Sequence, residues 1–304
     1  MNYKIFADTG FDFTKEMLEE YNINLLPIML IDENKEYRDF YDIESKTVYE
    51  NMRKGVVYKT AQVPYQLYYN NFKSAIDEKK DIICFTLSSG ISGSYQSALS
   101  VRNNILEDYP DVKINIIDLK SASIGGTLSV IRLIKMINDG VDLKEVLKAA
   151  DFYAENMLHI FSVSDMQYLY RGGRMTKTQK VVTGILNIKL ILEVKREDGT
   201  LGIKGKVRGE KALFKKVIDF MELSSKDGKF NTNQTIGICH AESLKSVKML
   251  KEMIKEKFGN INIIVTDMSS TIGCHTGPGA FAVVFLKDTS WRSEERRVGK
   301  ECRS

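Results

Sequence analysis

Short apolar runs alternate along this chain with longer stretches in which apolar residues recur at helical spacing. Tyr3–Ala7, Leu25–Ile31, Asp81–Leu87 and Lys113–Asp118 have the length and apolar density of buried strands. Between them, Met17, Leu18 and Tyr21 share one helix face behind a capping residue, Thr14. The spacing predicts further helices over Thr47–Lys54, Tyr65–Ile76 and Tyr95–Leu106, and another running from the Ser121–Gly126 segment to Asn138. Asp32–Tyr41 is polar enough to predict a surface excursion. Strands alternating with helices predict an α/β domain with a mostly parallel sheet and helices on both faces. Ligands of such sheets gather at the carboxyl ends of the strands.

From Asp142 onward, Leu143, Val146, Leu147 and Ala150 line one face of an amphipathic helix, and its end sets the expected boundary of an N-terminal domain, 1–156. His159–Val163 reads as a strand. Ile188–Val194 and Leu201–Val207 flank a hairpin turn containing Gly199. Thr235–His240, Ile261–Thr266 and Phe281–Leu286 are further strands, and Leu244, Val247, Leu250, Ile254 and Phe258 line a helix behind Ser243. These predict a C-terminal α+β domain, 157–288, with a mixed or antiparallel sheet. Residues 289–304 are expected to be a non-native tail. Arg292–Ser304, with Cys302, reads like the translation of a sequencing-adapter oligonucleotide and is set aside.

Composition narrows the class. With 43% hydrophobic residues, 28% charged residues and 4 prolines, the chain is globular in character. The formal net charge of +4 is small and its basic residues are interspersed with acids, which gives no reason to expect nucleic acid. The 4 cysteines and 3 histidines are scattered, so spacing suggests neither a metal site nor a disulfide framework. The N-terminus passes directly into a strand without a signal-peptide core, and no apolar run reaches membrane-spanning length. A cytoplasmic location is expected.

Candidate chemistry sits in the loops. Leu87–Ala98, LSSGISGSYQSA, places serines and glycines between a strand and a helix, a seat for a carboxylate or phosphate. The same residues suit a turn in which Ser92 or Ser94 merely caps the helix. Thr60 and Gln62 precede another helix and are ligand candidates, or simply part of a helix-starting turn. Thr271–Ala280 predicts a second small-residue loop, with His275 and Thr276 held between glycines. Arg171 and Arg174 surround Gly172 and Gly173; arginine offers forked donors to phosphate or carboxylate, though a solvated turn has the same composition. Lys204, Lys206, Arg208, Lys211, Lys215 and Lys216 form a basic stretch suited to an acidic partner or to a solvated face.

Gly90-Ile91-Ser92-Gly93-Ser94 misses the GxSxG nucleophile elbow by one position, and neither a P-loop nor a GxGxxG fingerprint is present. A self-sufficient kinase or dehydrogenase is not supported. A serine-dependent acyl hydrolase using Ser92, His275 and Asp118 stays as an alternative, as does a binder of another small acid or polyol.

Taken together, Asp8-Thr9, Lys59-Thr60-x-Gln62, the Leu87–Ala98 loop, Gly172-Gly173-Arg174 and Gly273-x-His275-Thr276-Gly277-Pro278-Gly279-Ala280 resemble the DegV family over roughly residues 3–287. The resemblance implies a two-domain α/β protein that holds one long-chain fatty acid in a tunnel. In members of the FakB type that acid is presented to the catalytic subunit of a fatty-acid kinase, which makes an acyl phosphate. Carried over by motif, Thr60 and Ser92 would bond the carboxylate, with Gly93, His275 and Thr276 beside it and Arg174 and Arg208 nearer the phosphate or the kinase. The protein itself would be no enzyme and would hold no cofactor; ATP and magnesium would belong to the kinase. The chain departs from the family pattern at Gly10, Ala61, Leu119 and Leu190.

Overall fold

The computed structural model describes residues 2–176 and 187–291, so Arg292–Ser304 and Cys302 lie outside the described residues. Strand β1 (Tyr3–Asp8) leads to helix α1 (Lys15–Tyr21), capped by Thr14, whose hydroxyl accepts the Met17 N–H at 3.3 Å. Strand β2 (Ile23–Leu26) then lies parallel to β1. Strands β3 (Met29–Ile31) and β4 (Glu36–Arg38) form an antiparallel pair, α2 (Ser45–Arg53) follows, and β5 (Lys59–Ala61) joins the other edge of β3. After α3 (Tyr65–Asp77), β6 (Asp81–Thr86), α4 (Ser94–Asp108) and β7 (Ile114–Asp118) complete a parallel sheet in the order β2-β1-β6-β7.

Helices α5 (Ser123–Asn138) and α6 (Leu143–Asn156) lead into β8 (Met157–Ser162) and α7 (Gln167–Arg171). The rest runs β9 (Ile188–Val194), β10 (Leu201–Arg208), α8 (Glu210–Leu223), β11 (Thr235–His240), α9 (Leu244–Phe258), β12 (Asn262–Asp267), α10 (Ser270–Thr276) and β13 (Phe281–Leu286). The second sheet has the order β10-β9-β8-β13-β11-β12 and is mixed, with β11–β12 parallel and its other pairs antiparallel. We propose that the two domains divide where α6 passes into β8.

The two faces of each strand explain the layering. In the parallel sheet Phe6, Ile82 and Cys84 face α3 and α4 and pack with Tyr68, Phe72, Ala98 and Val101. The alternate residues Ile5, Ala7, Ile83 and Phe85 join a central cluster with Leu133 and Ile134 of α5 and Val146 and Ala149 of α6. That cluster continues into Cys239, Ala282, Val284, Phe161 and Leu192 on the inner face of the second sheet. The outer face, with Ile160, Ile191, Ile238 and Val283, is covered by α8 and α9 through Phe214, Val217, Leu250 and Ile254. Helices therefore cover both faces of each sheet, and the middle helices serve both.

Two expectations give way here. Leu25–Ile31 is not one strand: Pro27 lacks an N–H and restricts the residue before it, so the chain leaves the parallel sheet at Leu26 and re-forms at Met29 in the small sheet. Thr9 secures the break, accepting the Ile28 N–H at 2.9 Å. Asp32–Tyr41 is likewise more than a surface excursion, because it contains β4 and Asp39, which is only 2% exposed. The Asp39 carboxylate accepts the Thr271 N–H at 2.9 Å and the Thr271 hydroxyl at 2.6 Å, tying the small sheet to α10. A buried donor left without a partner costs about 1–3 kcal/mol. Asp39→Ala is therefore expected to lower stability by about 2–4 kcal/mol in urea or thermal unfolding, and Asp39→Asn, which keeps an acceptor, by clearly less; equal losses would contradict the assignment.

Candidate functional site

A cavity of about 380 Å³ lies between the sheets, at the carboxyl ends of the parallel strands. This falls within the range of about 300–1,000 Å³ in which ligand pockets lie. Leu87 and Ala122 wall it from the first half of the chain, and Phe161, Leu169, Val194, Leu201, Met268 and Ala282 from the second. Polar groups line it in two places. Thr60, Gln62, Ser92, Gly93, Arg174, His275 and Thr276 line it near the serine loop, while Ser123 and His159 line it near the start of α5.

The residues singled out in the sequence come from three separate loops or short elements. Thr60 sits on β5 opposite Leu30 of β3, and its Oγ1 lies 2.8 Å from His275 Nε2. With the proton on Nε2, the ring donates to Thr60 and leaves the Thr60 hydroxyl proton for an acceptor in the cavity. Ser92 Oγ donates to Ser94 Oγ at 3.1 Å and accepts the Ser94 N–H at 3.2 Å, so Ser92, one residue before the Gly93 N-cap of α4, is tied to the first turn while it lines the cavity. Gly93 lies close against Gln62: a Cβ there would fall 1.9 Å from Gln62 Oε1, so the Gln62 side chain would have to move. Gly172 is required by close approach, since a Cβ would fall 2.0 Å from Nδ1 of the buried His275 ring. Arg174 donates from Nε to the Ile91 carbonyl at 3.0 Å and from Nη1 to the Gly172 carbonyl at 2.6 Å, clamping the serine loop to the turn after α7.

Buried carboxylates hold these loops. Asp8 accepts the N–H of Gly10 at 3.0 Å and of Leu87 at 2.9 Å, fixing the start of the serine loop. Asp12 accepts the Ser269 N–H at 2.8 Å and the Ser123 hydroxyl, linking α5 to the residue before α10. Burial raises both carboxyls to about 7 despite the opposing hydrogen bonds, and raises Asp39 as well. Burial also lowers His275 to about 3, with the nearby Arg174 guanidinium adding to it, and lowers His159 to about 4. Both imidazoles are neutral at neutral pH. The Arg174 guanidinium is pulled down by burial too, which fits a cation meant to meet an anion.

Not every expectation survives. Thr271–Ala280 is not simply a loop: Ser269 caps α10 by accepting the Ile272 N–H at 3.4 Å, and His275 and Thr276 occupy its last turn. Thr276 lines the cavity, but its hydroxyl donates to the Ile272 carbonyl at 3.1 Å. Asp118 does not approach His275. It ends β7 beside Thr86, and its carboxylate accepts the Ser89 N–H at 3.2 Å and the Ser89 hydroxyl at 2.5 Å, stitching the serine loop to its own sheet. The triad imagined for a hydrolase is therefore not assembled. Arg208 is exposed at the end of β10, opposite Ile188 and away from the cavity-lining Leu201. Sequence reading missed Asp12, Asp39, Ser123 and His159 as parts of the site, because each is isolated among ordinary neighbours. Among the described residues no cluster of three or more His, Cys, Asp or Glu could hold a metal ion, and no helix is long and apolar enough to cross a membrane.

Fold and site together define an α/β protein with two sheets around a mainly apolar internal cavity, furnished with hydroxyls and neutral imidazoles. A family model for uncharacterised DegV proteins matches residues 2–288, and a DegV domain-containing protein of Clostridium perfringens is 33% identical over 289 residues, covering 94% of this chain and 98% of that protein. The chain belongs to the DegV family. Solved structures agree: a fat acid (stearic acid)-binding protein from Eubacterium ventriosum has a TM-score of 0.83 and 25% identity, covering 94% of this chain and 98% of its own. The Streptococcus pneumoniae fatty acid kinase (Fak) B3 protein, loaded with linoleic acid, has a TM-score of 0.81 and 26% identity, covering 95% of this chain and all of its own.

The shifted groups make stability depend on pH in opposed ways. An acid raised from 3.8 to about 7 holds a proton in the fold that the unfolded chain has lost, so Asp8 and Asp12 contribute stability that disappears as pH rises through about 7. A histidine lowered from 6.5 contributes stability present above that value and lost as pH falls through about 4 for His159 and about 3 for His275. Between about pH 4 and 6.5 these slopes oppose one another. Asp12→Asn is expected to tilt the melting-temperature profile upward with pH over that range and His159→Gln to tilt it downward; parallel profiles in thermal melts would reject the assignment.

Proposed function

We propose that the protein binds a long-chain fatty acid in this cavity and presents its carboxylate to a separate ATP-dependent fatty-acid kinase. The reading rests on one observation above others: a mainly apolar cavity that gathers Thr60, Ser92, His275 and Arg174 at one end. Burying a methylene is worth about 0.8 kcal/mol, so an acyl chain of about fifteen would supply on the order of 12 kcal/mol before the costs of ordering. The tail supplies affinity and the polar end sets direction.

Neutral donors suit a carboxylate that must later react. Thr60 and Ser92 orient the oxygens by single hydrogen bonds, and neutral His275 holds Thr60 without adding a competing charge. Phosphoryl transfer depends chiefly on positioning and on neutralising charge, which Arg174 is placed to assist. We assign Arg174 and the exposed Arg208 to the phosphate- or kinase-facing side, ATP and magnesium to the kinase, catalysis to that partner, and the complex to the cytoplasm. The stearic acid-binding relative and the relative loaded with linoleic acid support the ligand class.

Protein expressed in a bacterium and purified gently is expected to carry one fatty acid per chain. Mass spectrometry of the denatured sample would find it, and a lipid-free protein would count against the reading. A hydrogen bond to a charged group is worth about 1.5–3 kcal/mol, so Thr60→Ala combined with Ser92→Ala is expected to weaken fatty-acid binding or acyl-phosphate formation with a kinase by at least about tenfold. Unchanged binding and transfer would refute the head-group assignment.

A further inference from the structure

Ser88, Ser89, Gly90 and Ile91, the four residues before Ser92, are each held by a distant segment. Ser88, fully buried, donates its hydroxyl to the Gly199 carbonyl at 2.9 Å. Asp118 holds the Ser89 hydroxyl, and Arg174 holds the Ile91 carbonyl. Gly90 has no side chain to bond and lies instead against main chain. A Cβ there would fall 2.3 Å from the Asp198 carbonyl oxygen, 2.4 Å from the Gly199 carbonyl carbon and 2.6 Å from the Thr200 nitrogen. Unlike the Gln62 side chain beside Gly93, these atoms cannot swing aside. The fit is reciprocal: Gly199 has a φ of +70°, and a Cβ on it would fall 2.1 Å from Ser88 Oγ.

The turn that presents these atoms, residues 195–200, is braced from within. Lys195 donates its N–H to the Thr200 carbonyl at 2.7 Å, and Gly199 donates its own to the Lys195 carbonyl at 2.8 Å. The Asp198 carboxylate accepts the Thr200 N–H at 2.9 Å and the Thr200 hydroxyl at 2.7 Å. The turn closes the β9–β10 ladder, whose last pair, Val194 opposite Leu201, lines the cavity. One hairpin from the second half therefore walls the cavity and abuts the loop that carries Ser92. In that loop the Ser88 carbonyl accepts the N–H of Ile91 at 3.1 Å and of Ser92 at 3.0 Å, so a shift at Gly90 reaches Ser92 within a single turn.

We propose that the 195–200 turn is a positioning element for the head-group site: its backbone, fitted against Gly90, sets where Ser92 Oγ meets the ligand carboxylate. Gly90 and Ser88 are then positioning residues that touch no ligand. An alanine at 90 needs about 1 Å more room to reach ordinary contact with the Asp198 carbonyl. A displacement of that size takes a hydroxyl out of hydrogen-bonding range of a fixed oxygen. The proposal rests on reading the cavity as an acyl site with Ser92 at the carboxylate.

The test is a double-variant cycle with palmitate, titrated calorimetrically into the full chain after lipid removal. Ser92→Ala alone is expected to weaken binding by about tenfold, and Gly90→Ala alone by a similar factor. In the Gly90→Ala background, Ser92→Ala is expected to add less than about twofold, because the hydroxyl has already left the carboxylate. Ser88→Ala loosens the same contact without adding an atom, and serves in place of Gly90→Ala if that variant does not fold. It is expected to weaken palmitate by about threefold or more and to shrink the effect of Ser92→Ala. Losses that multiply in the combined variants, which a general weakening of the fold would give, would overturn the proposal and leave the acyl site standing. So would unchanged binding in Gly90→Ala, or a Ser92→Ala variant that binds palmitate as the parent chain does. A parent chain that does not bind palmitate would remove the acyl reading, and the positioning role with it.

Discussion

Three buried carboxyl groups hold the candidate site of this protein together. Asp8, Asp12 and Asp39 each accept backbone N–H groups from segments far away in sequence: the serine loop at Leu87, the approach to α10 at Ser269, and α10 itself at Thr271. These segments carry Ser92, His275 and Thr276. Burial disfavours the charged form of each acid, and the hydrogen bonds only partly offset it. The molecule thus accepts perturbed acids in its interior to fix loops that no regular ladder could hold.

The same logic extends to the bases. His275 and His159 are kept neutral by burial, so both line the cavity without adding charge. Arg174 is the cation lining the cavity near the serine loop, and its bonds to Ile91 and Gly172 bind two halves of the chain to one another.

Much of the architecture was legible because burial imposes simple periods. β1, β6 and β7 read as apolar runs, α6 as an amphipathic stripe, and the β9–β10 hairpin as two runs around Gly199. The errors have local causes. Pro27 divides what hydrophobicity alone joins, and Ser269 with the carboxylates behind it turns a glycine-rich segment into α10. At the site, Thr60, Ser92 and His275 stood out because hydroxyls or an imidazole sat among turn residues. Asp39 and His159 did not, since their importance comes from partners far off in the chain: Thr271 for one and Ser121 for the other.

The helices α5 and α6, packed into a core common to both sheets, have a consequence for how the chain reaches its native state. Neither sheet can bury its inner face without them, so the second sheet depends for its core on helices that belong to the first half. The Thr60–His275 contact joins residues 215 positions apart, and contacts of such separation close late because loop entropy must first be overcome. The cavity exists only once segments that far apart have met. Any molecule that fits it binds only the completed form and draws the whole population toward that form by mass action.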